Sequence, residues 1–225
     1  MKITYYGHSC FAVQLEKHRI LFDPFISGNK LAQNIKIDQI KCDYILLSHG
    51  HEDHTADAIL IAKNNNATIV SSYEIATWAG NQGCKYHPMN TGGKWKFDFG
   101  TVKCVSAVHS SVLPDGTYGA NPMGFVVDDG VQAFYYSGDT ALTLDMQLIP
   151  KYKKLDLAIL CIGDNFTMGY EDAVEAAKMV HCKTILGVHY DTFGYIEIDK
   201  SAVKKYFTEN GLELFLLEIA GEIEI

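Results

Sequence analysis

The sequence has no long apolar run and no excess of basic residues. No stretch approaches the roughly 20 apolar residues of a membrane-spanning helix, so we expect no membrane partner. Lys and Arg number 19 against 27 Asp and Glu, for a formal net charge of −8. Nucleic acid is therefore not expected as a partner, because binding to phosphates depends on clustered cations. Only 5 prolines and 19 glycines occur, which excludes collagen-like chains.

No CxxC pair occurs either. Six cysteines stand singly in apolar surroundings, at positions 10, 42, 84, 104, 161 and 182. Their even number would fit three disulfides, but the N-terminal segment has no apolar core of a secretory signal. We therefore expect buried free thiols and a cytoplasmic location.

The composition is that of a globular protein, with 48% hydrophobic and 20% charged residues. A chain of 225 residues is expected to form one domain, residues 1–225. Short antiparallel strands are predicted at residues 2–6, 10–16 and 19–23, and later strands alternate with helices. Helices are predicted at residues 55–64, with Thr55 as the N-cap, and at residues 73–81, 142–151, 171–180 and 200–209. This order predicts an α/β (α+β) fold in which helices cover the outer faces of the sheets.

The most informative segment is His49-Gly50-His51-Glu52-Asp53-His54, which follows a predicted strand at residues 43–47. Residues i and i+2 of a loop can point the same way, so we expect His49 and His51 to bind one ion. Asp53 and His54 begin the next turn and can face a second ion. Imidazole and carboxylate ligands suit zinc, and also iron or manganese. The alternative is a solvated polar loop that caps the next helix, but a cap needs one acid and not three histidines.

Such a site needs more ligands than one loop supplies. His109, Asp139 and His189 each follow a predicted strand, and in α/β folds the carboxyl ends of strands collect functional sites. Each of them alone is more often a hydrogen-bonded structural or turn residue than a ligand, but the three together favour a metal site.

Several neighbours are weaker candidates for substrate binding. His8, in a turn between two strands, either lines the pocket or only bonds its own loop. The glycine-bearing turn 163–169 can present Asn165 and Thr167 to an anion near a helix start. Tyr190 and Thr192 either donate hydrogen bonds to a developing oxyanion or pack against neighbours.

The order His-x-His-x-Asp-His, a lone His, Gly-Asp-Thr and a late His resembles the metallo-β-lactamase-fold superfamily of metal-dependent hydrolases. The resemblance spans nearly the whole chain. Three further features are similar to a small bacterial and archaeal branch related to ascorbate-phosphate lactonase; they are Tyr6-Gly7-His8-Ser9-Cys10-Phe11 with Asp23-Pro24-Phe25, residues 163–169, and His189-Tyr190-Asp191-Thr192-Phe193.

The resemblance implies a four-layer αββα sandwich with the site at one edge of the sheets. It also implies that one metal is held by His49, His51 and His109, that the other is held by Asp53, His54 and His189, and that Asp139 bridges them. Two divalent ions, zinc first and manganese or iron otherwise, would share a water and lower its pKa toward ~7. In this scheme Asp53 orients the nucleophile and moves its proton, and Asp139 holds the ions at their working separation.

The expected function is hydrolysis of a small ester, lactone or phosphoester by a hydroxide that bridges the two metals. Two alternatives on the same fold stay open: a non-hydrolytic metal-binding or regulatory protein, and a diiron oxidoreductase. A small-molecule substrate is the expected partner, and relatives of this kind commonly form homo-oligomers.

Overall fold

The computed structural model describes residues 1–225 and contains two seven-stranded mixed sheets. The strands of the first sheet are β1 (Lys2–Gly7), β2 (Cys10–Gln14), β3 (Arg19–Phe22), β4 (Tyr44–Leu46), β5 (Thr68–Ser72), β6 (Lys85–Met89) and β14 (Glu222–Glu224). Those of the second are β7 (Lys94–Phe97), β8 (Gly100–Ser106), β9 (Met123–Asp128), β10 (Ala133–Tyr136), β11 (Leu157–Cys161), β12 (Thr184–Val188) and β13 (Glu213–Phe215). The helices are α1 (Glu52–Thr55), α2 (Ala58–Asn65), α3 (Tyr73–Asn81), α4 (Tyr170–Met179) and α5 (Lys200–Glu209).

Both sheets follow the same plan. The first runs β14-β1-β2-β3-β4-β5-β6, with an antiparallel meander through β3 and parallel pairing from β3 to β6. In the second, β7 to β10 are antiparallel and β10 to β13 are parallel. Parallel neighbours require crossover connections, and in this chain helices supply them. The carboxyl ends of β3, β4, β10 and β12 lead directly into the histidine- and aspartate-bearing loops.

Three apolar clusters show how the layers are stacked. The central cluster combines residues of both sheets, such as Phe22 and Leu46 of the first with Phe134 and Ile159 of the second. A second cluster joins the outer face of the first sheet to α2 and α3, and a third joins the outer face of the second sheet to α4 and α5. The order of layers is therefore helix, sheet, sheet, helix, and the predicted αββα sandwich is confirmed.

Phe22 is the centre of the contact between the sheets. Its ring is fully buried and stacks on Phe11 with ring centroids 4.6 Å apart. It also packs edge-on against Phe125, Phe134 and Tyr136 of the opposite sheet, at centroid distances of 5.6–6.3 Å.

Several predictions of local structure were wrong. Thr55 does not cap a helix that begins there; it ends the short α1, and its hydroxyl donates to the backbone oxygen of His51 at 3.0 Å. Strand β6 was missed because it contains Pro88, which a strand tolerates at the sheet edge where β6 lies. Residues Leu144–Lys151 form a 3₁₀ helix that includes Pro150, where an α-helix over 142–151 was predicted.

The cysteines behave as predicted, since all six are free and buried. None of the helices has the length and apolar character needed to cross a bilayer.

Replacement of Phe22 by alanine is expected to lower the free energy of unfolding by about 3–5 kcal/mol, because it opens a cavity between the two sheets. Val131 is 88% exposed, so Val131→Ala serves as the matched control and should change stability by less than about 0.5 kcal/mol. Urea denaturation followed by circular dichroism measures both. A loss below about 1 kcal/mol in Phe22→Ala would contradict this description of the core.

Candidate metal centre

The histidine-rich loop lies between β4 and α1. His49 and His54 are fully buried, whereas His51 and Asp53 are only partly so. Gly50 allows a close approach to a second loop, since a Cβ there would lie 3.1 Å from the backbone oxygen of Val112. The Gly50 N–H donates to Ser111 Oγ at 2.9 Å. The loop is thus fixed by the fold before any ligand binds.

Distant parts of the chain complete two groups of ligand atoms. His49, His51 and His109 place their ligand atoms within 4.8 Å of one another. Asp53, His54 and His189 do the same, together with His8. Within the first group, His49 Nε2 and His51 Nδ1 are 2.9 Å apart, which is hydrogen-bond distance in the metal-free protein.

Asp139 lies between the two groups. Its Oδ2 is 3.2 Å from His54 Nε2, 2.9 Å from His189 Nε2 and 3.7 Å from His109 Nε2. The side chain comes from the loop after β10, and Gly138, with φ of +60°, makes the tight turn that brings it there. All seven side chains expected to bind metal therefore meet at one edge of the sandwich.

Unpartnered polar atoms show that this cluster fits cations. Asp139 Oδ1 is buried and has no hydrogen-bond partner, and buried His54 Nε2, although 3.2 Å from Asp139 Oδ2, is not aligned for a hydrogen bond. Buried polar atoms without a partner destabilise a fold, so such a pair in one cluster needs an explanation. A divalent ion bound by these atoms would supply one.

The electrostatics point to the same conclusion. Burial lowers the pKa of His49, His51 and His109, so these imidazoles are neutral at neutral pH and their lone pairs are available. Burial also opposes ionisation of Asp139, but the imidazoles of His189 and His54 outweigh it and hold its pKa well below the ordinary value.

At His54 the balance is reversed. Burial lowers its pKa, yet the carboxylates of Asp139, Asp53 and Asp23 outweigh burial and raise the pKa well above the ordinary value. The surrounding acids therefore favour a positive charge at this point, which a proton supplies in the metal-free protein and a bound cation would supply instead.

Sequence reasoning identified no residue that orients the ligands, and the structure assigns this role to Asp23. Its fully buried carboxylate accepts from Ser48 N at 2.8 Å, Ser48 Oγ at 2.5 Å, His54 Nδ1 at 2.8 Å and Tyr136 Oη at 2.6 Å. His49 Nδ1 lies 2.9 Å from Ser48 Oγ. Each of the two imidazoles is therefore held through its Nδ1 atom, which leaves its Nε2 atom directed toward the cluster. Such partners fix the tautomer and direction of metal-binding rings. The available signal was Asp23 itself, an acid at the end of an otherwise apolar strand.

His8 has a related position. Its Nε2 lies 3.0 Å from Asp53 Oδ2 and its Nδ1 lies 3.0 Å from Thr192 Oγ1. Burial and the neighbouring His189 lower its pKa to about 4, so the ring is neutral. Its single N–H donates a hydrogen bond to the Asp53 carboxylate. His8 thus contacts a predicted ligand directly and does more than bond its own loop.

A cavity of about 680 Å³ opens above the cluster. Its floor contains His51, Asp53, His109, Asp139 and His189, and Lys30, Ser110 and Thr192 line its walls. Phe166, Phe193 and Tyr195 also line it, and their partial exposure to solvent places them at its mouth.

Not every predicted substrate contact reaches this cavity. Thr192 lies on its wall, whereas His8, Asn165, Thr167 and Tyr190 do not line it. Thr167 bonds the backbone oxygen of Met168 at 3.3 Å, and Tyr190 is buried against a neighbouring cavity behind His8. In the 163–169 turn the backbone N–H groups of Asp164 and Phe166 are satisfied within the turn itself, and Phe166 is the residue that faces the cavity.

Comparison with known proteins agrees with this site and fold. Residues 18–190 match the Beta-lactamase superfamily domain. A UPF0173 metal-dependent hydrolase of Flavobacterium johnsoniae is 54% identical over the whole of both chains. The metallo hydrolase Igni18 of Ignicoccus hospitalis has the same structure at a TM-score of 0.89, with 30% identity over 100% of this chain and 98% of that one. YhfI of Bacillus subtilis, a metallo-beta-lactamase fold protein, shares the fold at a TM-score of 0.75 and 18% identity, over 100% of this chain and 99% of its own.

Fold and site together define a metal-dependent hydrolase of the metallo-β-lactamase superfamily. Within that superfamily the chain belongs to the UPF0173 metal-dependent hydrolases.

Asp23→Asn should weaken metal binding by about 10- to 100-fold, because an amide NH₂ would face a proton of Ser48, His54 or Tyr136. Competition with a chromogenic chelator measures the affinity, and circular dichroism checks the fold. Asp38 is exposed and has no side-chain bond, so Asp38→Asn should bind metal like the wild type. Unchanged affinity in a folded Asp23→Asn protein would show that Asp23 does not orient the ligands.

Proposed function

We propose that the protein is a binuclear metal hydrolase that cleaves a small ester, lactone or phosphoester. One group, His49, His51 and His109, would hold the first ion; Asp53, His54 and His189 would hold the second. Asp139 would bridge them. The observation that carries the proposal is the position of Asp139 Oδ2, which is within 3.7 Å of ring nitrogens from both groups.

When bound, two divalent cations supply a water of lowered pKa and polarise the substrate oxygen under attack. Zinc fits the donor set of imidazoles and carboxylates, and manganese and iron accept the same ligands.

Asp53 is the residue of this chain best suited to handle the proton. Both Asp53 and Asp139 line the cavity, but the side chain of Asp53 is 26% exposed and that of Asp139 only 2%. Burial opposes its ionisation, but the imidazoles of His54 and His8 hold its pKa below the ordinary value. One oxygen is directed by His8, and the carboxylate can orient a water molecule and accept its proton.

The cavity wall supports a hydrolytic reaction on a small molecule. The more exposed predicted ligands, His51, Asp53 and His109, face the opening, so a substrate can approach the cluster from one side. The hydroxyls of Ser110 and Thr192 lie beside this approach and can bond a substrate oxygen.

The purified protein should contain about two metal ions per chain and hydrolyse at least one member of a panel of generic esters, lactones and phosphodiesters. His51→Ala should lose the activity and part of the metal. Elemental analysis and initial rates measure the two quantities. Exposed His181 has a backbone φ of +54°, which asparagine tolerates, so His181→Asn is a matched control expected to keep both.

Metal-free protein that is as active as the wild type would refute the proposal. Metal-loaded protein that is inert on the whole panel would favour a regulatory role, and an iron pair with an oxygen-dependent absorbance band would favour oxidoreduction.

Removal of the proton acceptor should lower the turnover number more than it lowers metal binding. Asp53→Asn is expected to lower kcat by about 10²- to 10⁴-fold, because the amide cannot accept a proton. The His49, His51 and His109 group should keep its ion, which elemental analysis checks. A kcat within threefold of the wild type would assign the proton transfer to another residue.

A further inference from the structure

Three aromatic side chains surround the mouth of the cavity and have no role in holding metal. Phe166, Phe193 and Tyr195 are 49%, 36% and 78% exposed, although each is large and largely apolar. A single exposed aromatic residue needs no explanation, but three on one cavity mouth form a patch of the kind that binds ligands. We call these three residues the aromatic rim.

The aromatic rim is held in place before any ligand binds. Phe193 packs edge-on against the ring of His8 at a centroid distance of 5.4 Å, and Phe166 packs edge-on against Tyr195 at 6.1 Å. The loop that carries Phe193 and Tyr195 is closed by a hydrogen bond from Asp191 N to Ile196 O at 2.8 Å. It is also anchored by an ion pair of 3.1 Å between Lys200 and Asp191. A ring bound here would therefore meet preformed faces and edges at little entropic cost.

Lys30 supplies the charge of the cavity wall. It is the one Lys or Arg among the lining residues, and the only carboxylates there are Asp53 and Asp139 at the floor. Its position is set by the 3₁₀ turn Lys30–Ala32, which the buried side chain of Asn29 caps by accepting from Leu31 N at 2.9 Å.

Two carboxylates cannot neutralise two divalent ions, and Lys30 adds a further positive charge. The metal-loaded cavity would thus be positive within a protein whose formal net charge is −8. A cleft of one sign concentrates ligands of the opposite sign.

We propose that the substrate is a small organic anion that carries a planar ring. The aromatic rim binds the ring by stacking and edge contacts, and Lys30 pairs with the anionic group. This substrate class rests on the proposed hydrolase function, since it places the reacting bond at the cluster on the cavity floor.

The test is equilibrium binding to the metal-loaded protein, measured by calorimetry with three probes. These are 2-naphthoate, which has both features, 2-naphthamide, which lacks the charge, and cyclohexanecarboxylate, which lacks the planar ring. 2-Naphthoate should bind about tenfold more tightly than either of the others. Because the measurement needs no turnover, it also decides the question if no ester is hydrolysed.

Two variants separate the contributions. Phe193→Leu keeps apolar bulk and should weaken 2-naphthoate by about three- to tenfold while it changes cyclohexanecarboxylate by less than about twofold. Lys30→Met should weaken both carboxylates by about three- to fivefold and leave 2-naphthamide unchanged. Matched controls are Tyr73→Leu, an aromatic residue 61% exposed on α3, and Lys36→Met, an exposed lysine that does not line this cavity. Both controls should bind like the wild type.

Equal affinities for the three probes, or ratios that Phe193→Leu and Lys30→Met leave unchanged, would overturn the inference even if the protein hydrolyses other esters. The expected ratios in a protein that hydrolyses nothing would refute the proposed function and support the ligand class.

Discussion

The arrangement of the candidate metal centre depends on one buried carboxylate, that of Asp23. It follows β3 directly and accepts four hydrogen bonds, two from Ser48 and one each from His54 and Tyr136. Ser48 in turn bonds His49, and Tyr136 ends β10 of the opposite sheet. The contact therefore links the two sheets and at the same time directs two imidazoles toward the cluster. An unpaired charge at this depth would destabilise the fold strongly, so the donors and the carboxylate require one another.

Charge explains why so many titratable groups can share one edge of the sandwich. Two acids, Asp53 and Asp139, lie among the imidazoles, of which burial keeps His49, His51 and His109 neutral, and Asp139 Oδ1 is buried without a hydrogen-bond partner. Divalent cations balance such a set, and the raised pKa of His54 marks where positive charge is most favoured in their absence. The duplicated plan of the two sheets serves this arrangement, because strand ends from both halves meet at a single edge.

The sequence was sufficient for the layers, for most of the strands and for the grouping of seven candidate ligands at one edge, because these depend on apolar periodicity and on a dense motif. It was insufficient for contacts that side chains make across the fold. The segment Asp23-Pro24-Phe25 does not indicate what the carboxylate of Asp23 contacts, and its partners lie 25, 31 and 113 residues away in the chain. The same limit applies to the cavity wall, where Phe166 faces the opening and its neighbours Asn165 and Thr167 do not. Edge strand β6 was missed because propensity is weakest where a strand has one neighbour and contains proline.

The central claim is that this edge of the sandwich holds two ions that share Asp139. A crystal structure of the metal-loaded protein, with anomalous data at the absorption edge of the metal found by elemental analysis, tests it most directly. We expect two anomalous peaks, one within about 2.0–2.2 Å of ligand atoms of His49, His51 and His109 and the other equally near Asp53, His54 and His189. Oxygens of Asp139 should contact both. A single peak, or peaks bound elsewhere while these side chains stay in place, would contradict the account.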